Sequence, residues 1–137
     1  MERILSVALG IFLFVSCTST GIEKTEHGII VRLQPENSRG VGNIRLQVVN
    51  EKIIHVTATN DSDFSDEESL IIKPGLKLSD KFSVEETAER IILSTDSLDV
   101  TILRATGEIS FLNKRGETIL QENKGGGKTL TDRKSVV

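Results

Sequence analysis

The 137-residue chain carries seventeen Lys and Arg against twenty Asp and Glu, a net charge of -3, and its length suits one compact domain. That balance offers no basic surface to neutralise phosphates, so nucleic acid is not an expected partner. One Cys and two His exclude a disulfide framework within the chain, a multi-cysteine metal site and a three-histidine zinc centre; no metal and no cofactor is expected.

Arg3 precedes an apolar run over residues 4–15, which Ser16 and Cys17 close. A bilayer core needs about 20 apolar residues, so the run is too short to span one. A positive start, an apolar stretch and a small residue before a cleavage point predict a signal peptide over residues 1–16. Phe14-Val15-Ser16-Cys17 resembles a bacterial lipobox, whose Cys is lipidated and becomes the first mature residue. The resemblance departs at one place, where Phe14 stands for the usual Leu. A signal peptide without lipid and a buried apolar helix are the alternative readings. The lipobox implies an exported protein, anchored through Cys17 in the bacterial cell envelope, at the periplasm or the outer membrane. Residues 17–25 then read as a tether, residues 26–122 as the folded domain and residues 123–137 as a flexible Gly-rich tail.

Within the domain, short β-patterned runs alternate with turn residues, the signature of an all-β antiparallel sandwich or barrel. Residues 27–33 hold the β-branched stretch Ile29-Ile30-Val31. Ile44, Leu46 and Val48 alternate with polar residues, and so do Ile54, Val56 and Ala58. A three-residue loop over 50–52 sets Val48 opposite Ile54, Leu46 opposite Val56 and Ile44 opposite Ala58; a two-residue loop would turn the second apolar set to the other face. Leu70-Ile71-Ile72 predicts a short strand, stopped by Pro74-Gly75. Strands are also expected over residues 82–85 and 90–94. Between the last two, Ser83 and Glu86 mimic a capping box, but the β-branched surroundings favour strand over a helical turn. Residues 98–120 read as a three-stranded meander, with turns at Gly107 and at Asn113-Lys114-Arg115-Gly116.

Few constellations here carry chemistry. Gly127-Lys128-Thr129 suggests a phosphate loop, but Glu122 stands where that motif needs Gly and would set negative charge beside phosphate. Asp61, Asp63 and Ser65 space like calcium ligands, yet the Gly and the bidentate Glu of a calcium loop are replaced by Asp66 and Ile72. A solvated acidic loop is the expectation. His55 and His27 read as sheet residues rather than catalysts, and Asp96, Asp99 and Glu108 as solvated carboxylates at turns and outward positions.

Several stretches together resemble the opening of family 31 glycoside hydrolases, the α-glucosidases and α-xylosidases. They are residues 44–48 and 53–58, Phe64-Ser65-Asp66, Ser69-Leu70, residues 94–102 and 107–112, Gly116 and Leu120. The resemblance covers about residues 26–130. It implies an antiparallel β-sandwich of the galactose-mutarotase-like type, incomplete at its C-terminal end, and a place in carbohydrate metabolism beside a catalytic barrel. No position matches the family's catalytic aspartates, so no catalytic residue is assigned; a barrel needs about 250 residues of its own. The expected role is a non-catalytic accessory domain. A weak free-standing carbohydrate-binding module taking an α-linked oligosaccharide, or a non-functional gene fragment, are the alternatives. Sugar modules stack pyranose faces on Trp or Tyr, and this chain has neither, which leaves Phe64, with Ser65 and Asp66, as the candidate carbohydrate-contact loop.

Overall fold

The structure, a computed structural model, describes residues 21–33, 41–64 and 75–128. Among these, nine strands form two antiparallel sheets. The first contains β1 (Ile22–Thr25), β2 (Gly28–Arg32), β3 (Asn43–Asn50) and β4 (Ile53–Thr59), side by side in chain order. The second contains β5 (Ser83–Glu86), β6 (Arg90–Ser94), β7 (Leu98–Leu103), β8 (Ile109–Asn113) and β9 (Thr118–Gln121), again in chain order. Each sheet is therefore a meander, and the fold is a β-sandwich.

Period-two alternation decides which face is buried. Ile29, Val31, Ile44, Leu46 and Val48 from the first sheet are wholly inaccessible, as are Ile91, Leu93, Val100 and Ile102 from the second. These residues form one core, which Leu33, Val41 and Ile109 complete. The pairing of Val48 with Ile54, Leu46 with Val56 and Ile44 with Ala58 is the expected one. The loop is not. Asn50 pairs with Ile53 across a two-residue turn, and the register shifts between Val48 and Asn50, so a bulge at Val49 absorbs the extra residue. The Asn50 side chain fixes the turn by accepting a hydrogen bond from Lys52 N at 2.8 Å.

Residues 22–25, expected in a tether, instead form β1, with Ile22 opposite Val31 and Lys24 opposite Ile29. Arg32 N donates to Gly21 O at 2.9 Å, so order begins before the expected boundary at residue 26. A strand with one apolar side chain gives little alternation to read, while its charges suit an edge. At the other end, residues 123–128 are not a loose tail. Gly126 N donates to Asn123 O at 3.1 Å, and the Lys128 ammonium reaches Glu122 at 2.6 Å and Gly107 O at 3.1 Å. The meander over residues 98–120 is as expected, and residues 83–86 are strand rather than helix. The strand expected at residues 70–72 lies outside the described residues.

Two glycines permit close approaches, one between paired strands and one between the layers. A Cβ on Gly28 would run into the Leu46 carbonyl oxygen. Gly107 turns β7 into β8 at φ +71°, and a Cβ there would meet Leu33 Cδ1.

Candidate functional site

The outward face of the first sheet carries a group of polar side chains in a concave setting. Pairing places Glu23 beside Ile30, Ile30 beside Arg45 and Arg45 beside Thr57, one cross-strand row over four strands. Arg32 projects to the same face two residues after Ile30. The chain leaving β4 folds back above this row. Asn43 Nδ2 donates to Asp61 O at 2.7 Å, and Asp61 N donates to Thr59 Oγ1 at 3.1 Å. These bonds fix the start of the loop that brings Phe64 over Arg45, whose guanidinium carbon lies 4.5 Å from the ring centroid. Glu23, Ile30, Arg32, Arg45, Ser62, Asp63 and Phe64 thus enclose a cleft of about 380 Å³.

Charge in this cleft is balanced. Arg32 pairs with Glu23 at 2.9 Å, and Ser62 Oγ donates to Asp63 Oδ2 at 2.9 Å. Arg45 makes no ion pair among the described residues; its Nε is buried with no hydrogen-bond partner, and so is Thr57 Oγ1 beside it. Buried polar atoms without partners are uncommon.

Of the expected site residues, Phe64 lies at this cleft, while Ser65, Asp66 and Cys17 are outside the described residues. Sequence reasoning missed Arg45, Glu23 and Arg32. Arg45 was legible as an outward residue of an alternating strand, but its neighbours come from strands that only the pairing brings together.

The other candidates have structural employment. His55 Nδ1 lies 3.2 Å from Gln47 Oε1 across the β3–β4 pair, a sheet-surface contact. Asp96 is exposed, as expected. Asp99 is half-buried; burial pushes its carboxyl up, but hydrogen bonds from Lys114, at 2.7 Å, and Ser94, with the Lys114 charge, hold it below the usual range. Glu108 departs from the expectation of a solvated group: it is only 6% exposed. Hydrogen bonds from Gln121 Nε2 at 2.9 Å and Gly125 N at 3.1 Å lower its pKa. Glu122 accepts from Ile109 N at 3.0 Å and pairs with Lys128. The Gly-Lys segment thus serves as a clasp on the β7–β8 turn. Among the described residues, no three His, Cys, Asp or Glu gather as metal ligands.

No family model matches the chain. Among solved structures, it is similar to the GH31 α-xylosidase from Xanthomonas citri, at 32% identity and a TM-score of 0.65, over 75% of this chain and 11% of that one. It is also similar to an uncharacterized protein from Listeria monocytogenes EGD-e, at 12% identity and a TM-score of 0.60, over 77% of this chain and 9% of that one. The latter protein has also been solved in complex with α-D-glucose, β-D-glucose, magnesium and calcium. At 12% identity the second likeness speaks for the fold alone. In each case the chain spans about a tenth of the structure it matches. The chain is thus a glycoside-hydrolase-related β-sandwich, similar in both sequence and fold to a domain-sized segment of a family 31 enzyme.

Proposed function

We propose that this sandwich is a non-catalytic accessory domain, a scaffold against which a glycoside hydrolase barrel packs. The observation that carries this reading is the proportion of the match: 75% of this chain against 11% of an α-xylosidase. The second sheet adds a physical argument. One apolar row runs across it through Val84, Leu93, Val100, Phe111 and Leu120. Leu93 and Val100 are wholly buried, whereas Leu120 on β9 is 62% exposed and its neighbour Ile119 59%. The core row therefore runs out past its cover, and apolar surface of that kind gains from a packed neighbour, at about 25 cal/mol per Å².

A chimera tests the scaffold reading. The matching segment of the Xanthomonas citri enzyme is deleted in one variant and replaced by this chain in another. Deletion is expected to abolish soluble, active enzyme and replacement to restore it. An active deletion variant, or a replacement no better than the deletion, would overturn the reading.

The envelope location belongs to the same proposal. Lipid on Cys17 would tether the domain to a membrane, since one acyl chain contributes about 0.8 kcal/mol per buried CH₂. Cys17→Ala is expected to move the protein from the membrane fraction to the soluble one. Unchanged membrane retention would contradict the anchor.

A further inference from the structure

We propose that this chain takes its partner as an added β-strand: one extended segment of the enzyme chain it supports pairs with the free edge of β4 and lays alternate apolar side chains on Phe111 and Leu120. This deepens the scaffold reading and rests on it. Contacts between the layers fix how they stack. The Lys24 ammonium, on β1, lies 5.3 Å from the centre of the Phe82 ring, next to β5. Glu51 O, in the β3–β4 turn, accepts from Thr95 in the β6–β7 turn, and Leu33 and Ile44 crowd Gly107 in the β7–β8 turn. The strands of the two layers therefore follow the same order across the sandwich, with β1 on the side of β5 and β4 on the side of β9. Four strands face five, and the second layer runs out past the first on the β4 side. Burial falls on that side in both layers. Ile44, Leu46 and Val48 on β3 are wholly buried, while their partners Ala58, Val56 and Ile54 on β4 are only partly so. Across the second sheet Val100 is wholly buried, Phe111 partly, and Leu120 is 62% exposed.

The outer strands differ in what they offer an incoming segment. β1 carries Glu23 and Lys24, and β5 carries Glu85 and Glu86, charges of the kind that deter pairing at an edge. β4 spans seven residues without a charged side chain, a Gly or a Pro, and among the described residues it is the outer strand of its sheet. A strand added there continues the ladder at a spacing of about 4.8 Å, and every second side chain points down onto β9. A charge at one of those positions would lose its water over Phe111 and Leu120 and gain no partner, so the segment is apolar on that face. A second copy of the chain does not fit. Pairing β4 with β4 about a two-fold axis would bring both overhanging β9 strands to the same place.

The probe is a synthetic peptide with the sequence of residues 43–50, which already pairs with β4 along its other side and turns Ile44, Leu46 and Val48 to the core. In a nuclear magnetic resonance titration of the full chain, this peptide is expected to protect alternate β4 amides from hydrogen exchange. It should also shift the Leu120 methyl resonances, saturating with a Kd on the order of millimolar. The same peptide carrying Leu46→Asp should bind at least about tenfold more weakly. Leu120→Lys in the chain alters a side chain that is already 62% exposed, so the variant should fold as the parent does and bind the peptide about tenfold more weakly. The proposal is overturned by outward β4 amides that are protected before peptide is added, or that become so through self-association. It is equally overturned by Leu120 shifts without new amide protection, by changes confined to β1 and β2, or by either substitution leaving the affinity unchanged. A chimera that works while the peptide fails removes the added strand alone; a chimera that fails removes the scaffold reading with it.

Discussion

Glu108 shows what a single residue's setting can do that its neighbours in sequence do not announce. It follows Gly107 at a turn, where a carboxylate is ordinarily wet. Here Gln121 reaches it from β9 and Gly125 from the turn beyond, and both bonds favour the ionised form. Its folded pKa lies below its unfolded one, so its contribution is present above about pH 4.5 and is lost as the pH falls through the lowered value. Glu108→Gln is therefore expected to melt below the parent at pH 7, and the gap should narrow at an acid pH, where protonation of Glu108 removes the difference in charge. Thermal melts at the two pH values read this directly; a gap that persists in acid would show that packing, not charge, is at stake. Gly28 makes the complementary point. Its lack of a Cβ is needed because the Leu46 carbonyl oxygen of the paired strand occupies that space. Sequence reading identified neither, since both depend on atoms from other strands.

Among the elements, alternation did most of the work. Ile44, Leu46 and Val48 against Ile54, Val56 and Ala58 were enough to fix the register of the β3–β4 pair, because a slip of one residue would expose an entire apolar set. The bulge at Val49 was not legible, since two different turns satisfy the same register. β1 escaped for the opposite reason: with only Ile22 apolar, it is held by backbone pairing and by the Glu23–Arg32 ion pair rather than by a pattern. Contacts between the sheets were also out of reach. Thr95 is one of them. Its Oγ1 donates to Glu51 O at 2.6 Å, linking the β6–β7 turn to the β3–β4 turn, and accepts from Leu98 N at 3.0 Å. Thr95 is 6% exposed, so Thr95→Val keeps the shape and removes the hydrogen-bond partner of Glu51 O and Leu98 N. A loss of about 1–2 kcal/mol is expected in urea unfolding, with an unchanged m-value. A variant as stable as the parent would mean that the sheets are held together by apolar contact alone.

For the molecule as a whole, two meanders share one apolar core. Lys128 and Glu122 form a clasp at the β7–β8 turn. Hydrolysing a glycoside requires two carboxyl groups about 5–9.5 Å apart on either side of the scissile bond, one of them protonated when it acts as the acid. The carboxylates with perturbed pKa among the described residues, Asp99, Glu108 and Glu117, are all shifted downward, the wrong direction for such an acid. That direction supports the proposed scaffold role. The most direct measurement of this account is release of p-nitrophenol from p-nitrophenyl α-D-xylopyranoside and α-D-glucopyranoside by the purified chain. The account predicts a rate equal to that of buffer. Turnover that copurifies with the protein and disappears when one of its own carboxylates is replaced by an amide would contradict it.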